Sequence, residues 1–324
     1  MTARADVGMC FDRTLPAPLI REFAPALEQG GARQIWIIED CFYTGGIALA
    51  ATALAVTDDL TVGLGILPAV ARAVPITAME IATLCALGPG RVLAGIGHGV
   101  QSWMGQMGVR TPSPLTTLRE VLECLRRLLA GEQVTFDGHQ IHLDAVGLDS
   151  PPTDPPPLLA GVQGPKSLAL AGQVADGVVL AEPASPSYVR WALAQASPVA
   201  AEAFHTATFS VLCVEPDRRS AYERMAPWLA GQLAGQRSTP TDAYRTLPFI
   251  DELFAWFDTH GVEGLVRMPA EWWGELAPIG TEDDALAHIA ALESAGVGSI
   301  GLFPPADVNT VRRQLPNVVR LANR

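Results

Sequence analysis

The stretch Val7–Pro18, VGMCFDRTLPAP, decides which of two parallel-sheet folds the chain can adopt. A buried β-strand, VGMCF, runs straight into polar residues and two prolines. A doubly wound dinucleotide-binding sheet needs Gly-x-Gly-x-x-Gly at this first turn, so that backbone can approach a pyrophosphate. DRTLPAP contains no glycine. A (β/α)8 barrel makes no such demand.

Outward from this turn the same rhythm repeats. The helix PAPLIREFAPALEQGGA, stopped by Gly30-Gly31, leads to the strand QIWIIED, an Ala-rich helix from Ile47 to Val56, and the strand LTVGLGI. The helix PITAMEIATLCALGPG and the strand GRVLAGIG follow. An amphipathic helix from Pro114 to Ala130 comes next, with Leu118, Val121, Leu122, Leu125 and Leu128 at helical spacing. In EQVTFDGHQIHLD the Asp137-Gly138 pair predicts a two-residue hairpin turn, an excursion from the repeat over about residues 131–145. The rhythm resumes with LLAG into PKSLALAGQVA, DGVVLAE into PSYVRWALAQA, and ATFSVLCVE into RSAYERMAPWLAGQLAG. It is lost from Gln236 to about Ile279, which reads as an insertion with one or two helices, and returns in VGSIGLF and a C-terminal helix. Eight strands alternating with helices predict one α/β domain over residues 1–324, a (β/α)8 TIM barrel with insertions and no second core.

Composition narrows the function. With 49% hydrophobic and 17% charged residues the chain can bury a large core. The net charge of -12 opposes binding to nucleic acid or anionic membrane. No apolar run is long enough to span a bilayer, and the first residues lack a signal-peptide core, so a cytoplasmic protein is expected. The five cysteines lie far apart with no Cys-x-x-Cys pair, as suits reduced thiols. No metal site is expected, since His139 and His142 fall on opposite faces of a strand. Trp256, Trp272 and Trp273 read as packing within the insertion.

In a barrel, chemistry is carried just past the C-terminal ends of strands. These positions are Cys10–Asp12, Glu39–Phe42, Gly65–Pro68, Gly97–Gly99, Gly161–Lys166 and Ala181–Glu182. Lys166 is the only lysine among 22 basic residues. It sits in Gly161-Val162-Gln163-Gly164-Pro165-Lys166, a strand, a turn and a helix opening on proline. The spacing is not that of a P-loop, but a helix N-terminus with a neighbouring ammonium is an anion cradle. Glu39 and Asp40 end the second strand, and alternation allows one of them to point inward. Gly95, Gly97 and Gly99 let backbone approach a ligand, and His98 between them is a candidate proton donor or phosphate ligand.

Taken in order, WIIEDCF, VGLGILPAVARAVPITAMEIATL, LGPGRVLAGIGHGV and AGVQGPKSLALAGQVADGVVL resemble the bacterial luciferase-like flavin and deazaflavin oxidoreductases, most of all the subgroup using coenzyme F-420. The resemblance implies a TIM barrel and hydride transfer between deazaflavin C5 and a small or medium organic substrate. It implies that Asp40 contacts the ring, that a cis peptide at Gly65-Ile66 presses on it, and that the phosphate lies on Gly161 to Lys166. It also implies a homodimer formed through the helices beside strands two and three. Sugar-phosphate dehydrogenases of the subgroup carry histidine and glutamate where this chain has Cys41 and Val100; with Trp103 nearby, a more apolar substrate pocket is expected. Asp40, His98 and Cys41 are then the candidate catalytic residues. Related readings are an FMN-dependent monooxygenase of the same fold and a non-catalytic flavin-binding relative.

Overall fold

The computed structural model describes residues 4–324. Eight parallel strands close into a barrel: β1 (Asp6–Phe11), β2 (Gln34–Ile37), β3 (Thr61–Pro68), β4 (Val92–Gly97), β5 (Leu158–Gly161), β6 (Gly177–Leu180), β7 (His205–Val211) and β8 (Ser299–Phe303). Each pairs with its chain neighbours, and β8 closes on β1 through Asp6 opposite Ser299. The helices of the outer ring are α1 (Ile20–Gln29), α2 (Gly46–Ala55), α3 (Val74–Leu87), α4 (Pro114–Leu129), α5 (Pro165–Val174) and α6 (Pro186–Ala196). They continue with α7 (Arg218–Gln236), α8 (Ile250–Leu265), α9 (Ala270–Leu276), α10 (Glu282–Ser294) and α11 (Val308–Ala322). Among the described residues no helix is long and apolar enough to cross a membrane.

The helix starts follow from local chemistry. Pro114, Pro165 and Pro186 each occupy the first helical position, where a missing N–H costs nothing. The Ser113 and Ser185 hydroxyls accept from Thr116 N and Tyr188 N, and Thr281 with Asp284 forms a reciprocal capping box on α10.

The barrel interior is filled by a compact set of inward side chains, Cys10, Trp36, Ile38, Leu159, Val179, Ala207 and Phe209. Trp36 meets Phe209 edge-on at 5.2 Å between centroids, and Phe209 meets Phe303 in the same way at 5.8 Å. Below them Gln34 plugs the floor. Its Oε1 accepts from Trp36 Nε1 at 3.0 Å and its Nε2 donates to Asp6 O, so a polar side chain that is 1% exposed has both ends partnered.

Three expectations need correction. The hairpin Val134–Asp137 with His142–Val146 is joined by four residues, Gly138–Ile141, not by a two-residue Asp-Gly turn. The cause lies 19 residues away, where the Glu120 carboxylate of α4 accepts from the amides of His139, Gln140 and Ile141. Those three hydrogen bonds hold the Glu120 carboxyl below its ordinary range against the opposing desolvation. The stretch from Gln236 to Ile279 holds three helices, a single turn at Asp242–Arg245 followed by α8 and α9, with a kink in α8 where Gly261 takes φ 62. Finally, a separate apolar cluster does form: α7, α8 and α9 bury Tyr222, Met225, Leu229, Leu253 and Trp273 together. Trp273 stacks on Tyr222 at 5.0 Å.

Candidate functional site

The C-terminal ends of the strands open into a cavity of about 470 Å³. Its shape begins in β3. The pairing of β3 with β4 slips between Leu64 and Leu67, and the Gly65-Ile66 peptide is cis. The extra residue carries the Ile66 side chain over the neighbouring strand ends. A Cβ on Gly161 would lie 2.5 Å from Ile66 Cδ1, and one on Gly97 would lie 2.9 Å from Ile66 Cγ2 and 2.7 Å from Gly161 O. Glycine at these two positions is therefore what allows Ile66 to form part of the cavity wall with Val179 and Phe209.

One end of the cavity is the turn Gly161–Gly164 and the start of α5. The first amides of a helix have no partner within it, so those of Lys166 and Ser167 are available to an anion. Two side chains brace this turn. Tyr188 OH donates to Gln163 O at 3.1 Å. His98 Nδ1 lies 3.1 Å from Pro114 O and its Nε2 2.9 Å from Ser167 Oγ. A carbonyl only accepts, so Nδ1 carries the proton and Nε2 accepts from the Ser167 hydroxyl. Burial lowers the His98 pKa, which favours this neutral form, against the raising effect of the Pro114 bond. With both nitrogens engaged, His98 orients Ser167 and has no proton to offer the cavity.

Of the turn residues singled out in the sequence, Gly161, Val162, Gln163 and Gly164 line the cavity, as does Ser167. Pro165 and Lys166 do not: Lys166 is exposed and lies along a groove on the other side of α5. The reason is helical geometry, since consecutive residues point about 100° apart.

Glu39 and Asp40 both line the cavity. Strand alternation does not divide them, because β2 ends at Ile37. They differ instead in partners. Glu39 is bidentate with Arg72, at 2.6 and 2.8 Å, and accepts from Gly46 N at 2.7 Å, which fixes it as a brace for the start of α2. Asp40 pairs with Arg13, whose guanidinium also lies 4.9 Å over the Tyr43 ring. Cys41 lines neither this cavity nor the next. Burial, then the Glu39 and Asp40 charges, push its thiol pKa up and keep it protonated.

A second cavity of about 380 Å³ adjoins the first and shares Ile38, Asp40, Glu182 and Phe303 with it. It lies between Met225 and Trp228 of α7 and the loop Pro304–Ala306, with Asp12, Arg13 and Arg224 at its sides. Glu182, on the wall common to both, was among the strand-end positions in the sequence but not among the candidate residues. Its surface faces the open mouth of the barrel, yet barrel atoms surround it closely, and this desolvation pushes its carboxyl pKa up to about 7. A backbone hydrogen bond and Arg13 oppose the rise, and the Asp40 and Asp12 charges add to it. The arrangement gives two compartments, a turn with free helix amides beside one of them, and a carboxyl able to hold or release a proton near neutrality at their junction.

A larger concavity, about 580 Å³, lies elsewhere, near the starts of β6 and β7, and is lined by the ends of α4 and α5. That end of a TIM barrel is not where strand-borne chemistry converges, and its Arg126 is already paired with Asp176 at 2.9 Å.

Comparison with known proteins adds a family to this geometry. A family model described as luciferase-like monooxygenase matches residues 13–299. The 5,10-methylenetetrahydromethanopterin reductase of Methanolobus tindarius is 35% identical over 174 residues, 53% of this chain and 53% of that protein. The alignment thus spans about half of that relative's length. The reductase of the same name from Archaeoglobus fulgidus is 29% identical over 241 residues, 69% of this chain and 71% of that protein. Among solved structures, the coenzyme F-420 dependent tetrahydromethanopterin reductase of Methanopyrus kandleri superposes with a TM-score of 0.80, covering 99% of this chain and 98% of its own. At 20% identity that likeness concerns the fold.

Proposed function

Because the chain belongs to the luciferase-like monooxygenase family, we propose that it is an oxidoreductase that binds coenzyme F-420 in the cavity beside the Gly161–Gly164 turn. In this reading it exchanges a hydride with a small or medium organic substrate in the adjoining compartment. The observation that carries the reading is the two-compartment mouth with Glu182 on the shared wall. A further aligned relative, the F420-dependent glucose-6-phosphate dehydrogenase of Nakamurella multipartita, 32% identical over 115 residues, 35% of this chain and 34% of that protein, supports the coenzyme by its name.

The residues fit such a group. The cavity offers an apolar face at Ile66, Val179 and Phe209 for a flat ring, and Gly97 and Gly161 leave room that a Cβ would fill. When bound, the deazaflavin supplies a two-electron hydride carrier that reacts poorly with oxygen. The amides of Lys166 and Ser167 hold the phosphate, and His98, by accepting from the Ser167 hydroxyl, fixes the first turn of α5 that presents them. Asp40, steadied by Arg13, lines the same cavity, where its carboxylate would contact the ring. Val100 and Trp103 line the rim and exclude water, with Phe42 packed edge-on against Trp103 at 6.5 Å. Glu182 carries the proton that must accompany the hydride, the role the sequence offered to His98 or Cys41. With Cys41 and Val100 in place of the acid and base of sugar-phosphate members, an apolar substrate is favoured. Met225, Trp228 and Phe303 around the second compartment agree with this.

Fluorescence titration of the apo-protein with F-420 and, in parallel, with FMN tests the reading. Binding of F-420 and not FMN is the expected result. Preference for FMN would move the protein to the monooxygenases. Tight F-420 binding with no turnover across a broad substrate screen would mark a non-catalytic relative.

The same reading places the enzyme in the cytoplasm as a homodimer. Ile76, Met79 and Leu87 leave an apolar stripe exposed along α3, and α2 beside it is built from small residues. Gel filtration is expected to show about twice the 34.3 kDa chain mass, and Met79→Glu to shift it toward the monomer.

A further inference from the structure

The chain's single lysine lies outside the cavity that its neighbours line, and the groove that does hold it is of one sign. This groove runs between α4 and α5 and receives Lys166, Arg119 of α4 and His139 of the hairpin turn, with Thr116 and Gln173 along its length. No acidic side chain lines it among the described residues, in a protein whose net charge is -12. Arg119 donates to Gln173 Oε1 at 2.9 Å and lies 3.7 Å from Glu123 on the next turn of its own helix, a loose exposed pair that leaves most of its charge available.

The groove lies beside the cavity, across the first turn of α5. Ser167 faces the cavity and Lys166, one residue before it, faces the groove. The His98 ring spans the junction, bonded to Ser167 on one side and to Pro114 O on the other. Leu115 and Thr116, the residues after Pro114, then form the groove's upper wall. A chain attached to a phosphate on the first amides of α5 would find, one residue away, a groove carrying Lys166, Arg119 and His139.

We infer that this groove is a binding site for a chain of carboxylates attached beyond the coenzyme's phosphate. Coenzyme F-420 carries such a chain, an oligoglutamate joined through lactate, whereas FMN ends at its phosphate. The inference rests on the coenzyme reading above and extends it to residues outside the ring and phosphate sites. It also accounts for Lys166. A flexible four-carbon stem bearing a compact charge follows successive carboxylates along an open groove, while arginine's rigid fork suits a single planar partner.

The test compares two forms of the coenzyme, with several glutamates and with none, by fluorescence titration against the wild type and Lys166→Ala/Arg119→Ala. Both substituted residues are on exposed helical surface, so the variant is expected to fold as the wild type does. Exposed ion pairs contribute up to about fivefold each at low salt. The wild type is expected to bind the glutamylated form about tenfold more tightly, an advantage that shrinks at high ionic strength. The double variant is expected to lose this advantage while binding the form without glutamates unchanged. Equal affinity of the wild type for both forms would overturn the inference and leave the coenzyme reading standing. So would a variant that weakens both forms alike, which would return Lys166 to the phosphate. Failure of both forms to bind would instead remove the coenzyme reading, and the groove's role with it.

Discussion

Replacing Glu182 with glutamine is expected to lower kcat by about 10²- to 10⁴-fold, the range a positioned proton donor contributes, while leaving coenzyme affinity nearly unchanged. Glutamine keeps the shape and the backbone, so the loss isolates the proton. Because the Glu182 pKa is raised to about 7, the wild-type rate of substrate reduction should fall as pH rises through neutrality, where the acid form disappears. Substrate oxidation, which needs the base form, should show the opposite slope, and the variant should show neither inflection. Stability has a definite sign as well. The ordinary carboxyl value for the unfolded chain is 4.5, so from there up to about 7 the folded protein keeps a proton the unfolded chain has lost. Stability from this group is full below 4.5 and is lost as pH rises through the folded value. Glu182→Gln should therefore flatten that slope in denaturant titrations across pH. A variant that retains wild-type turnover and pH profile would assign the proton to another group.

Gly8→Ala is expected to destabilise the whole barrel. A Cβ at this position would lie 1.8 Å from Gln34 O and 2.7 Å from Gln34 Cγ. The carbonyl belongs to the strand paired with β1, so β1 and β2 would have to separate, and the Gln34 plug under Trp36 would move with them. Overpacking a well-filled core costs about 1–3 kcal/mol and occasionally more. With backbone as the obstacle, the upper end, about 3 kcal/mol, is expected, a fall in Tm on the order of 4–5 °C for a chain of 324 residues. Thermal unfolding followed by circular dichroism measures it. A Tm within a degree of the wild type would mean that the barrel floor adjusts freely.

Most of the barrel was legible in the sequence because its signals are local. Short buried runs end at glycine or proline, and Pro114, Pro165 and Pro186 mark the first turns of their helices. The elements misread were those set by distant partners. Glu120 holds the hairpin turn from another helix, and β2 stops before the alternation that was to sort Glu39 from Asp40. The separate cluster around Trp273 was hidden for the same reason, as its parts are scattered from Val211 to Ile279.

The site divided along the same line. Gly97, Gly161 and Gly164 were legible as backbone approach points, because glycine at strand ends has a local meaning. Lys166 was noticed for its rarity, but the face of α5 it occupies follows from a helix phase that turn chemistry does not encode. Glu182 looked like any acid after a strand. Its character comes from the desolvation it meets where the two cavities join and from the Asp40 and Asp12 charges in the loops after two other strands. The signal that could have found it was its place in the strand-end register, the sixth of eight.

The two separate apolar clusters divide the molecule into parts that can change at different rates. The coenzyme compartment is built from strand ends and the loops directly after them, so alterations there disturb the barrel itself. The outer compartment borrows Arg224, Met225 and Trp228 from a helix packed mainly against the 236–279 segment. In the proposed reading, substitutions on that helix reshape the substrate compartment while the chamber between the strand ends stays intact, which makes the helix the place for an engineer to graft new substrate specificity.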